Sequence, residues 1–178
     1  MPVKGARLET ARIEPLSAFD LEPLIGLARE IWYAHYPAII DSAQIEYMLR
    51  QRYDAALLRE ELRRRDLWWD KLLAGDRMVA FSSYFVAGEG AVIKLDKLYV
   101  HPAHQRKGYG GALIARACEQ GRVQGCGRVT LAVNKRNAAA IAAYLKHGFR
   151  VADAVVKDIG GGYVMDDYIM EKPLAVGT

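Results

Sequence analysis

The feature that most constrains this chain is Gly108-Tyr109-Gly110-Gly111, three glycines in four positions between an apolar strand pattern and an apolar helix pattern. Upstream, residues 91–100 read as a strand ending in Leu98-Tyr99-Val100. Downstream, Leu113, Ile114 and Ala117 recur at helical spacing within a helix of about 108–124. A strand that passes into a helix through bare backbone has a specific physical use. Without side chains, the N–H groups of the first helical turn can approach a ligand closely. They lack intrahelical acceptors and lie at the positive end of the helix dipole, so they suit a phosphate. Arg106 and Lys107 add positive charge at the same place. Hydrogen bonds to charged groups contribute roughly 1.5–3 kcal/mol each, so four or five can anchor a pyrophosphate.

Other phosphate loops fit less well. A nucleotide P-loop ends in Gly-Lys-Ser/Thr, whereas Gly110-Gly111 runs into Ala112-Leu113. A dinucleotide fingerprint needs an acidic residue about 20 positions on, at the end of a second strand, and none stands there. A glycine-rich strand–helix turn without any ligand is the bland alternative.

Around this loop the pattern alternates between strand and helix. Residues 6–13 read as an edge strand, Phe19 to His35 as a helix, and Pro37 as a break. Asp41 or Ser42 can cap a second helix carrying Ile45, Met48 and Leu49, and a third runs from about Asp54 to Arg65. Strands are expected at 67–74, 77–86 and 91–100, turning at Gly75-Asp76 and Gly88-Glu89-Gly90. A strand at 128–133 and a helix at 137–147, closed by Gly148, follow the long helix. Two last strands flank Gly160-Gly161-Gly162. This order predicts an α/β (α+β) fold in one domain spanning 1–178: a single central twisted mixed sheet of about six to seven strands, with helices on both faces. At 178 residues the chain can bury a core unaided.

Two segments resemble the GNAT acetyltransferase superfamily. One is Gln105-x-x-Gly108-x-Gly110 behind Leu98-Tyr99-Val100-His101-Pro102. The other is Asn137-x-x-Ala140-x-x-x-Tyr144-x-x-x-Gly148-Phe149, in the family's order and spacing. The resemblance extends from about residue 6 to Leu174. It implies that strand 91–100 splays from strand 128–134, with the pantetheine arm of acetyl-coenzyme A inserted between them. The backbone of Leu98, Tyr99 and Val100 would hold the thioester and pantetheine amides, as an unpaired strand edge can. Gln105, Arg106, Lys107, Gly108, Tyr109, Gly110 and Gly111 would hold the pyrophosphate. Asn137 would touch the pantetheine, and Lys146, on the next turn edge, is within reach of a coenzyme phosphate. Read without the resemblance, Asn137 is a helix cap, Tyr144 a half-buried tyrosine and Lys146 a solvated lysine.

In the family the residue matching Tyr144 protonates the departing thiolate. A tyrosine hydroxyl titrates near 10 and a thiol near 8.5, so that transfer runs downhill by ~2 kcal/mol. The nucleophile is harder: a neutral alkylamine costs ~4 kcal/mol at neutral pH, which a general base can lower. Many relatives carry a Glu six positions before the strand's valine, where this chain has Lys94. Asp96 is the nearest acidic substitute, with Asp166 and Asp167 as further candidates.

For the acceptor, the stretch from Ile31-Trp32-Tyr33 to Met48-Leu49 and the segment 160–168 resemble a bacterial subgroup containing PaiA-type polyamine acetyltransferases. An amine would favour aromatics and carboxylates, for which Trp32, Tyr36, Tyr47, Glu30, Glu46 and Asp166 are candidates. A peptide amine is the competing acceptor. An acetyl-CoA sensor without turnover is the competing function.

Charge and composition exclude other classes. Arg59, Arg63, Arg64 and Arg65 form a basic run, but no aromatics interleave with it, so no nucleic-acid partner is expected. No apolar run approaches ~20 residues, so no membrane span is expected. The start, Met1-Pro2-Val3-Lys4-Gly5, has no signal-peptide pattern, and a cytoplasmic location is expected. Cys118 and Cys126 lack metal-ligand spacing and read as reduced structural thiols, with no metal cofactor. A homodimer stays open.

Overall fold

The computed structural model describes residues 11–88 and 92–175. Seven strands form one sheet in the order β1-β2-β3-β4-β5-β7-β6: β1 Ala11–Pro15, β2 Leu67–Ala74, β3 Arg77–Ala87, β4 Val92–Val100, β5 Arg128–Asn134, β6 Arg150–Gly160 and β7 Tyr163–Pro173. Among the described residues five α-helices accompany the sheet: α1 Leu21–His35, α2 Ser42–Arg52, α3 Ala55–Arg63, α4 Tyr109–Val123 and α5 Ala138–Lys146. The expected mixed sheet with helices on both faces is what forms. Residues 6–10 of the expected edge strand, and Glu89, Gly90 and Ala91, lie outside the described residues.

Local chemistry explains the boundaries. Asp41 caps α2 by accepting from the Gln44 N–H at 2.7 Å, and Asp54 caps α3 through the Ala56 and Leu57 N–H groups. The third helix ends at Arg63 rather than Arg65, because Arg64 turns extended and pairs with Asp66. Arg63 pairs with Glu60 on the surface, so the arginine run is a solvated helix end. Gly148, at φ 85°, takes the left-handed position after α5 that a side chain would strain.

Helices α1, α2 and α3 cover one face, burying Leu24, Ile31, Trp32, Ile45 and Leu58 against Trp69 and Phe81. On the other face α4 buries Ile114, Ala117 and Cys118 against Ile93, Val129, Leu131 and Met170. Cys118 and Cys126 are both buried thiols, and burial pushes both pKa values up.

All neighbouring strands are antiparallel except β4 and β5. A parallel pair needs a crossover, which α4 supplies. Strand β4 also carries a bulge. Ser83 faces Lys97 and Tyr84 faces Leu95, leaving Asp96 as the extra residue. The bulge reverses the strand's alternation. Ile93 and Leu95 pack on the α4 side before it, and Leu98 and Val100 do so after it. Tyr99 is thereby turned toward Trp32 of α1, with ring centroids 5.8 Å apart.

Candidate active site

Strands β4 and β5 pair only through Val92–Arg128, Ile93–Val129 and Lys94–Thr130, then part. Beyond that point Leu95, Asp96 and Leu98 to Val100 on one wall, and Leu131 to Asn134 on the other, line a cleft of about 880 Å³. The far edge of β4 stays paired to β3, through Val100–Ala80, Tyr99–Phe81 and Leu98–Ser82. The parting therefore exposes one main-chain edge of β4 to the cleft.

The glycine loop closes one end of this cleft. Arg106 and Gly108 adopt left-handed backbone, φ 59° and 83°, which turns the chain sharply into α4. The first bond of that helix runs from the Ala112 N–H to the Gly108 carbonyl, 3.0 Å. The N–H groups of Tyr109, Gly110 and Gly111 thus precede the intrahelical ladder. The Gln105 side chain donates to the Val100 carbonyl at 3.2 Å, tying the loop to the end of β4. A Cβ at Gly111 would come within 2.6 Å of the His147 ring, so this glycine also allows close packing of α4 on the end of α5. Gln105, Arg106, Gly108, Tyr109, Gly110 and Gly111 line the cleft, as does Lys146. Lys107 is exposed and does not line it.

Helix α5 forms part of the same cleft. Asn137 is buried and caps it, its Oδ1 accepting from the Ala140 N–H at 3.2 Å and from His35 Nε2 at 3.1 Å. Tyr144 packs against Phe149 and lines the cleft. Burial pushes the Tyr144 hydroxyl above its ordinary pKa, with Tyr36 adding to the shift, so it keeps its proton across the neutral range.

The opposite end is aromatic and charged. Tyr36 and Tyr99 share a 3.3 Å hydrogen bond between hydroxyls, and Trp32 stacks 4.6 Å from Tyr36. Trp32 and Tyr36, expected at an acceptor site, do line the cleft. Four other expected acceptor residues are not brought there. Glu46 is held on the surface by Arg29 and Tyr33. Tyr47 points to the tip of the β6–β7 hairpin, its hydroxyl donating to the Ile159 carbonyl at 2.9 Å. Asp166 pairs with Lys135 away from the cleft. Glu30 is likewise outside, 3.5 Å from His101.

Asp96 lies in the cleft but is committed to cations. Burial alone would raise its pKa, yet Arg52 at 3.2 Å and Lys97 at 2.6 Å outweigh it and hold the carboxyl at about 2. Such a carboxylate is a poor proton acceptor, so the geometry weighs against Asp96 as the base. Asp167 differs: it lines the cleft, and its Oδ1 is buried without a hydrogen-bond partner among the described residues.

Arg52 and Lys157 line the cleft, and Lys97 stands beside it on Asp96. Arg52 ends α2 on the face that carries Ile45, Met48 and Leu49, a placement visible in its spacing from them. Lys97 follows the bulge, which turns it to the face opposite Ile93 and Leu95, where it is buried over Trp69. Lys157 of β6 carries no sequence signal; it enters the cleft because β6 lies beside β7. Among the described residues no group of three or more His, Cys, Asp or Glu could hold a metal, and no helix is long and apolar enough to cross a membrane.

Comparison with known proteins places this cleft in context. Residues 28–149 match the family model described as "Acetyltransferase (GNAT) family". A spermidine N(1)-acetyltransferase of Thermoplasma acidophilum is 30% identical over 164 residues, covering 90% of this chain and 95% of the relative. The crystal structure of PaiA N-acetyltransferase from the same organism, in complex with coenzyme A, superimposes with a TM-score of 0.80. It is 28% identical over 92% of this chain and 99% of its own. The ribosomal-protein-S18-alanine N-acetyltransferase of Escherichia coli shares the fold at a TM-score of 0.70, with 20% identity over 95% of this chain and 97% of its own.

Proposed function

Because the chain belongs to the GNAT acetyltransferase family, and is an acetyl-CoA-dependent N-acetyltransferase, we propose that it acetylates a primary amine of the polyamine class by direct attack on the thioester. The observation that carries this reading is the parting of β4 from β5 beside the bare N-terminus of α4, with Tyr144 lining the same cleft. Kinship to a spermidine acetyltransferase supports the acceptor class, which the fold alone would leave open.

In this reading acetyl-CoA lies with its pyrophosphate on the N–H groups of 109–111 and its pantetheine along the free edge of β4. Main-chain amides there and in the pantetheine complement each other as added strands do. Arg106 and Lys146 supply charge around the phosphates. The amine attacks the carbonyl carbon, the C–S bond breaks, and Tyr144 gives its proton to the sulfur. Arg52, Lys94 and Lys157 line the cleft too, so a second ammonium beside the first would be repelled. A polyamine therefore enters by one terminal amine, its remaining charges directed outward.

The reading is tested by thiol release from acetyl-CoA over a panel of spermidine, putrescine, n-butylamine and a lysine peptide. Turnover with the polyamines is expected, and Tyr144→Phe is expected to lower kcat by about 10²-fold while acetyl-CoA still binds. Turnover of the lysine peptide alone would overturn the acceptor class. Unchanged turnover in Tyr144→Phe would overturn the acid. Binding of acetyl-CoA without turnover of any amine would favour a sensor.

A further inference from the structure

We infer that Asp167 receives the reactive amine of the acceptor and takes its proton. This deepens the function proposed above and rests on it.

The placement comes first from the pleat of β7. Met165, Asp167 and Ile169 line the cleft, whereas the intervening Asp166 and Tyr168 meet Lys135 instead. Register fixes the height. Lys94–Thr130 is the last β4–β5 pair, and allowing for the extra residue Asp96, the stretch Leu98–Tyr99 faces Asn134 across the parting. Asp167 is the partner of Asn134 on the next strand. A thioester held along β4 would then have Asp167 on the opposite side of the gap, where an attacking nitrogen has to stand. The Oδ1 atom is buried with no hydrogen-bond donor among the described residues, so an ammonium or amine N–H would complete its coordination.

The rival carboxylate is occupied. Asp96 accepts from Lys97 and from Arg52 and is held at about 2, while the family's strand glutamate is Lys94 here. Asp167 is raised from its ordinary value, chiefly by burial and then by Asp166 on its own strand. Arg52 from α2, Lys135 beyond β5 and Lys157 from β6 act against that rise. Tyr36, in the turn after α1, also senses the Asp167 charge. A carboxylate so placed takes up a proton more readily than Asp96 does.

The proton balance closes. The ammonium gives one proton to Asp167, the neutral nitrogen attacks while Asp167 holds it, and Asp167 passes it to water after the acyl transfer. The C–N bond forms and the C–S bond breaks. The sulfur takes the Tyr144 proton, and the second proton shed by nitrogen restores that tyrosine through solvent. One proton is released per turnover.

The test is Asp167→Asn, which keeps the shape and removes the basic oxygen, assayed with spermidine and n-butylamine from pH 6 to 9.5. Expected is a fall of about 10²-fold in kcat/KM for the amine, with acetyl-CoA affinity unchanged by calorimetry. The variant's residual rate should rise about tenfold per pH unit below the pKa of the amine, since only free amine then reacts. Asp167→Glu should recover part of the loss. A variant within threefold of the wild type with the same pH profile overturns the assignment of Asp167 while leaving the acetyltransferase intact. Loss of acetyl-CoA binding in the Asn variant also overturns it, because the defect would then lie on the donor side. A wild-type protein idle with every amine tested refutes the proposed function, and this role with it.

Discussion

Replacing Gly110 by aspartate should separate stability from cofactor binding, moving the two in opposite directions. Gly110 is the second residue of α4, and a Cβ built there meets only Val100 Cγ2, at 3.9 Å, an ordinary contact. Its φ is not positive, so no backbone strain opposes a side chain. Removing glycine from a helix gains up to about 1 kcal/mol, and an acid in the first turn adds roughly 0.3–1 kcal/mol from the helix dipole. The unliganded variant should therefore unfold about 2–4 °C higher than the wild type. Binding should suffer. The aspartate covers N–H groups offered to the pyrophosphate and sets a like charge beside it. Losing two charge-assisted hydrogen bonds at roughly 1.5–3 kcal/mol each raises Kd by about 10²- to 10⁴-fold. Calorimetric titration with acetyl-CoA, paired with thermal unfolding of the same sample, reads both quantities. Gly110→Ala isolates size from charge and should lose much less affinity. An aspartate variant that binds acetyl-CoA within threefold of the wild type would refute the assignment of the phosphate site to this helix end.

Two further outcomes follow from the charged cleft and from the hairpin tip. Asp96 is held at about 2 in the folded chain against 3.8 ordinarily. Because its folded pKa is depressed, its stabilisation is complete above about pH 5 and is lost as the pH falls toward 2. That loss is about 2 kcal/mol, so urea titrations at pH 6 and pH 2.5 should show Asp96→Asn losing that much less than the wild type between the two; equal losses would contradict it. Gly161→Ala must accept φ 63° and bring a Cβ within 2.8 Å of the Tyr47 ring. It should cost about 2–4 kcal/mol, read as a lowered urea midpoint, and an unshifted midpoint would show that the tip does not rest on α2.

Much of the donor half could be read from the chain itself because its parts are close in sequence. Strand β4, the loop, α4, β5 and α5 run consecutively from Val92 to Lys146. Glycines, apolar periods and the Asn137–Tyr144 spacing each report local geometry, and local geometry is what periodicity encodes. The end of the cleft proposed for the acceptor is lined by Trp32 and Tyr36, by Arg52, and by Lys157 and Asp167, which meet only through tertiary packing. Aromatic or acidic character alone placed Glu46, Tyr47 and Asp166 beside them, yet each faces elsewhere. Asp166 and Asp167 differ by one residue of strand phase, which two adjacent aspartates cannot reveal without a register. The bulge at Asp96 is similarly silent, because it shows only in how Ser83 and Tyr84 pair across to β4.

Tyr47 binds the Ile159 carbonyl and lies against Gly160 and Gly161, with its ring 5.2 Å from that of Tyr163. Its phenol therefore latches two stretches of chain, 112 positions apart, into a single jaw. Any motion of the hairpin tip that keeps this bond has to carry α2 with it. A change confined to α2 that removes the Tyr47 hydroxyl would free the hairpin tip as well.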